Sequence, residues 1–149
     1  MKNFLTFLFI IIALTSFSQT INFNLLTGTW ICYKATQENK TDVTEDYKNC
    51  YKTFKQDLTY IEEMREVNTT TKGTYVLDKK NKKISFKNLI TTTKYPDAKV
   101  KMDDLVFKDE WHQDQIIVSL DKDTLVILLK KQSDSEIVSD TKVFYRRKN

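Results

Sequence analysis

Apolar side chains recur every second residue in short runs along most of this chain, and helical three-to-four spacing is hard to find in it. The runs are rich in β-branched and aromatic residues and are separated by polar turns. This predicts eight or so strands, near 29–36, 50–56, 58–67, 71–78, 83–92, 102–108, 111–120, 123–131 and 139–147. The links "LDKKNKKI" and "LDKDTL" read as hairpin turns, with Asp78, Asn81 and Asp121 tolerating geometry that glycine usually supplies. Such short links imply sequential antiparallel pairing. A meander of this length can close on itself, which removes the exposed sheet edges. The expected fold is therefore all-β, an antiparallel up-and-down eight-stranded β-barrel.

Within the penultimate run, Leu125, Ile127 and Leu129 fall on one face and Val126 and Leu128 on the other; in the last run Val143 and Tyr145 oppose Phe144. Both faces of the penultimate strand are thus apolar. Something is expected to cover the barrel's outside there, whether a short helix, a terminal segment or a second subunit, so a dimer belongs among the expectations.

The first residues follow a different pattern. Lys2 precedes an apolar run from Phe4 to Leu14, and "TSFSQT" follows, which is the layout of a secretory signal peptide. The run is 11 residues long, and a membrane span needs about 20. With no other long apolar run, no integral membrane anchor is expected. Ser16 and Ser18 place small side chains at the positions a signal peptidase reads, so the cut is expected between Ser18 and Gln19. The chain divides into a leader, 1–18, and one barrel domain, 19–149, in a periplasmic or secreted protein.

Removing 18 residues from 149 leaves 131, enough for a single domain that buries roughly two thirds of its unfolded surface. The formal charge of +4 drops to +3 without Lys2, and the charges are interspersed. That is too mild to point to nucleic acid. Two cysteines in an exported chain permit one disulfide, Cys32 to Cys50. Its loop of roughly 18 residues would be worth about 3 kcal/mol; the alternative is two buried thiols.

Gly28-Thr29-Trp30 opens the first strand, and Arg146 and Arg147 lie near the end of the last. This pairing resembles the lipocalin superfamily. Glycine lets the chain turn sharply across the barrel base, the indole plugs that base, and an arginine from the closing strand lies on the indole as a cation–π pair. Arg146 shares a face with Phe144, and Arg147 with Tyr145; Arg146 is the preferred partner. The wider pattern of "GTW", "CYKTFKQDLTYI", "WHQDQIIVSLDKDTLVILLKK" and "KVFYRRK" is similar to small lipocalin-like proteins exported by many bacteria. One departure is that Asp57 is followed by Leu58, where such relatives often carry Asp-Gly.

An eight-stranded barrel is either filled by side chains or holds one small ligand. The faces in step with Trp30 offer Cys32, Phe54, Tyr60, Met64, Phe86, Ile127 and Tyr145 as lining residues. They would make a pocket for a small hydrophobic or amphipathic molecule, or they pack the barrel solid. Glu110, His112 and Asp114 share a strand face opposite Trp111, a thin ligand set, so neither metal nor cofactor is expected. Lys72, Lys79, Lys80, Lys82, Lys83 and Lys87 surround one hairpin, either to meet an anionic surface or to keep the turn soluble.

Catalytic signatures are missing: no Gly-x-Ser-x-Gly, no His-Glu-x-x-His, no phosphate loop and a single histidine. Cys32 as a nucleophile trails the other readings. The expected function is an exported barrel that binds or sequesters a small ligand without catalysis. The alternative is a protein–protein module, such as a protease inhibitor acting through Gln19 to Thr27. A free segment there would favour the inhibitor, and one packed across the barrel base would favour the carrier.

Overall fold

A strand of alternating polarity has one face to bury, and of the nine strands among the described residues all but Leu105–Lys108, which stays exposed throughout, bury theirs against one another. The computed structural model describes residues 21–95, 105–108, 113–131 and 139–148. The strands are β1 (Gly28–Gln37), β2 (Cys50–Phe54), β3 (Thr59–Met64), β4 (Thr69–Asp78), β5 (Lys83–Thr93), β6 (Leu105–Lys108), β7 (Gln115–Leu120), β8 (Thr124–Leu129) and β9 (Thr141–Arg147). Short 3₁₀ turns occupy Phe23–Leu26, Thr44–Tyr47 and Arg65–Val67. No helix among the described residues is long and apolar enough to cross a membrane. The expected leader, residues 1–18, and Pro96, Glu110, Trp111 and His112 lie outside the described residues.

Every pairing is antiparallel, in the order β4-β3-β2-β1-β9-β8-β7-β5-β6, and a β4–β5 ladder closes the ring. β4 runs along one edge of β5, so β6 and β7 share the other: Ile90–Thr93 pair with β6, and Lys83 and Ile84 with β7. The two pieces together make one split wall strand. The result is a closed antiparallel eight-stranded barrel, as the alternation predicts.

The turns work by two devices. Asp57 accepts a bond from Thr59 N at 2.9 Å, Asp78 from Asn81 N at 3.0 Å, and Asp121 from Asp123 N and Thr124 N at 2.8 and 2.7 Å. The left-handed positions fall mostly on residues other than glycine. Asn49, Asn68 and Asn88 suit this conformation. Leu58 (φ 64) and Lys82 (φ 54) do not, and in the second hairpin it is Lys82, not Asn81, that takes the left-handed place. Gly73 is required for another reason. A Cβ there would come within 2.7 Å of Lys87 O and 2.6 Å of Leu89 Cδ2, because the ladder between β4 and β5 bulges at that point.

The interior is one continuous cluster. Trp30, Phe54, Tyr60, Tyr75, Phe86, Ile84, Ile127, Val143 and Tyr145 fill the half of the barrel nearest Trp30. Phe54 meets Tyr75 edge-on at 5.2 Å, and Tyr60 lies 4.4 Å from Phe86. On the outer face Val126 is buried as well, registered between Phe144 and Ser119.

Candidate functional site

The two ends of the barrel are built differently. At the base, Gly28 (φ +137) turns the chain so that the segment Ile21–Thr27 folds under the barrel, with Leu26 buried. Trp30 Nε1 donates to Leu26 O at 2.8 Å. The register places Trp30 opposite Arg147, whose guanidinium lies 4.2 Å from the indole centroid. Arg147 also donates to Thr27 O at 2.8 Å, Leu25 O at 2.5 Å and Lys122 O at 2.6 Å. The expected partner, Arg146, is therefore corrected to Arg147: Arg146 pairs with Ile31 and faces outward, because β-strand faces alternate by single residues. A Cβ on Gly28 would fall 2.3 Å from Arg147 Nη1, so the glycine serves both the turn and the arginine.

At the opposite end the inward side chains are polar as well as apolar. Inward positions on β2 and β3 face each other in three tiers, Phe54 with Tyr60, Lys52 with Glu62, and Cys50 with Met64. The middle tier is an ion pair inside the protein. Lys52 is 3% exposed and Glu62 12%, with Nζ to Oε1 at 2.5 Å. Tyr60 OH donates to Glu62 Oε2 at 2.8 Å and accepts from Lys52 Nζ at 2.9 Å, and Cys50 Sγ donates to Glu62 Oε1 at 3.3 Å. The carboxylate thus accepts from at least three side chains. That is what makes a buried charge tolerable.

Above this floor the wall is threonine. Thr71 and Thr91 hydroxyls meet at 2.8 Å, and Thr69 and Thr93 at 2.9 Å. At the rim, Met64, Leu105 and Phe107 occupy inward register positions yet remain 38%, 51% and 45% exposed. Gln115, opposite Ile84 and also inward, is 3% exposed, and its Oε1 has no hydrogen-bond partner. Two further grooves, of about 600 and 520 Å³, lie on the outside, one beside Lys34, Leu128 and Lys142, the other beside Lys72, Ile90 and Lys94.

Of the seven expected lining residues, Cys32, Phe54, Tyr60, Ile127 and Tyr145 are buried in the core and Phe86 packs against it, while Met64 stands at the mouth. These residues therefore pack the lower barrel rather than line a space there. Lys52, Glu62, Thr71, Thr91, Leu105, Phe107 and Gln115 were missed. Period-2 phasing with Phe54 and Tyr60 places Lys52 and Glu62 inward, a signal present in the chain.

The expected disulfide is not formed: Cys32 and Cys50 are free buried thiols. Each sulfur turns to its own partner, Cys50 to Glu62 and Cys32 to Lys34 O at 3.7 Å, across the register break that follows Cys32. Burial pushes both thiols up from their ordinary value, and for Cys50 the Glu62 carboxylate adds to it. Thiols so protonated are poor nucleophiles. Asp114 is bound to Lys83 at 2.7 Å, and among the described residues no group of three or more His, Cys, Asp or Glu side chains could hold a metal. Comparison with known proteins finds no matching family model, curated protein or solved structure.

Proposed function

We propose that this chain is an exported, lipocalin-like binding protein that holds a small apolar or amphipathic molecule in the cup of its barrel and catalyses no reaction. The observation that carries the proposal is the mouth, where Met64, Leu105 and Phe107 face inward yet stay in contact with water. Apolar surface lining a concavity is what a ligand covers, at about 25 cal/mol per Å² removed from water. The threonine wall and the Lys52–Glu62–Tyr60 floor supply the few polar contacts that orient such a molecule. The packed core below Tyr60 limits the ligand to the upper barrel. Export rests on the leader pattern, and the lipocalin-like assignment on Gly28, Trp30 and Arg147.

The competing reading, a protease inhibitor acting through its N-terminal segment, needs that segment free. Ile21–Thr27 is instead held under the barrel by Trp30 and Arg147, which supports the carrier. Native mass spectrometry of the protein purified from its exporting host tests the choice. A bound small molecule released on unfolding is the expected result. A bare mass that takes up nothing from a panel of apolar and amphipathic compounds would sink the proposal.

A further inference from the structure

We infer that the outer wall of the barrel carries a binding groove along the seam of β4 and β5, which takes a short oligosaccharide bearing carboxylates. The groove is on the outside, so the inference is independent of what the interior holds. Its volume is about 520 Å³, within the range of small-molecule sites, roughly 300–1,000 Å³. Thr70 and Lys72 line it from β4, and Asn88, Ile90, Thr92 and Lys94 from β5 and the residue after it. Alternation turns these positions outward, because Thr71, Leu89 and Thr91 between them are buried. The groove falls where the ladder slips between Lys72 and Thr74. There Gly73 has no side chain to fill the space, and Asn88 is left-handed at φ 53.

The polar groups of this groove are uncommitted. The inward threonines of the same two strands bond each other, Thr69 with Thr93 at 2.9 Å and Thr71 with Thr91 at 2.8 Å. Thr70 and Thr92 are register partners too, yet their hydroxyls do not pair, and the side chains of Asn88, Lys72 and Lys94 have no hydrogen-bond or ion-pair partner. Two hydroxyls and a carboxamide offer donors and acceptors together, which suits a polyhydroxylated ring. Ile90, 52% exposed among them, can meet the ring's C–H face. Lys72 and Lys94 are the charges, and among the described residues no carboxylate lines the groove. Glu63, registered opposite Thr70 on β3, is held by Arg65 at 3.2 Å. A carboxylate on the ring therefore finds cations without a competing anion. One apolar residue is too few for a lipid chain, and no aromatic ring lines the groove to stack a nucleobase. An acidic peptide cannot add as a strand here, because β4 is already paired on both sides, with β3 and β5.

Three probes separate charge from sugar. Trigalacturonate, maltotriose and triglutamate are titrated into isotopically labelled protein at pH 7 and followed by amide chemical shifts. Trigalacturonate is expected to give saturable shifts at Thr70, Lys72, Asn88, Ile90 and Thr92, and to bind about fivefold or more tightly than either other probe. Replacing both groove lysines, Lys72→Gln with Lys94→Gln, should weaken it by about fivefold or more. Lys79→Gln with Lys80→Gln removes the same charge from the tip of the β4–β5 hairpin and should change affinity by less than about twofold. Asn88→Gly keeps the left-handed backbone and the net charge, and should weaken trigalacturonate by about threefold through the lost amide. The substituted side chains are exposed, so the urea midpoint should hold in each variant. No saturable shift at the groove, triglutamate binding as tightly as trigalacturonate, or equal losses in the two lysine variants would overturn the inference.

Discussion

Replacing Arg147 by methionine removes the clamp on the barrel base while keeping aliphatic bulk over the indole. Two part-buried carbonyls, Thr27 O and Leu25 O, lose a charged donor, at about 1–1.5 kcal/mol each. The cation–π contact with Trp30 adds about 0.5–2 kcal/mol. The exposed bond to Lys122 O contributes little. The terms sum to about 2.5–5 kcal/mol, and because the contacts share one side chain the low end, about 3 kcal/mol, is the expected loss. Against a total stability of about 5–15 kcal/mol, that loss is large. With a urea slope of about 2 kcal/mol/M, the unfolding midpoint should fall by about 1.5 M. Near-UV circular dichroism, which senses the Trp30 environment, follows the transition. Arg146→Met is the control, because its side chain faces outward, and it should change stability by less than about 0.5 kcal/mol. The reasoning fails if the two variants lose equal stability, or if the Arg147 variant shifts the midpoint by less than about 0.3 M.

Leu58→Gly should stabilise the protein by about 0.5–1 kcal/mol in urea melts, since a leucine held at φ 64 is strained by about 1–2 kcal/mol and glycine gives back only part of that as chain entropy; a loss would contradict the turn geometry. Ellman titration of unreduced protein should find no reactive thiol when folded and two in denaturant, because Cys32 and Cys50 are free and buried; none in denaturant would mean a bridge. Burial holds the protons of Cys32, Cys50, Tyr60 and Tyr145 above their ordinary values, which are 9.0 for the thiols and 10.0 for the phenols. The unfolded chain releases them first, so stability is complete below pH 9 and falls as pH rises beyond it, by about 1.4 kcal/mol per pH unit for each proton retained. A flat urea midpoint between pH 8.5 and 11 would contradict that burial.

Strand positions, antiparallel order and barrel closure were readable because alternation and short polar turns are local signals. Gly28 and Trp30 were readable because a glycine two residues before a tryptophan is rare in a chain with two of each. The identity of the clamping arginine was not. Adjacent residues differ only by face, and facing is set by the register across β1 and β9, which includes a bulge between Cys32 and Lys34. The ion pair escaped for a different reason: lysine and glutamate are expected in water, although Lys52 alternates in phase with Cys50 and Phe54, and Glu62 with Tyr60. That phase predicts an inward pair once the hairpin register is known. Leu58 in a left-handed turn has no sequence signal, since the preference runs against it. The split of one wall strand into β6 and β7 depends on β5 pairing with both, a long-range feature no local pattern carries.

The central claim is that the end of the barrel away from Trp30 receives a small molecule. Amide chemical-shift mapping of isotopically labelled protein titrated with decan-2-one tests it most directly. Saturable shifts at Lys52, Glu62, Met64, Thr71, Thr91, Leu105 and Phe107, with Leu26, Trp30 and Arg147 unmoved, are the predicted result. Shifts confined to the base or the outer wall, or no saturable shift, would contradict it.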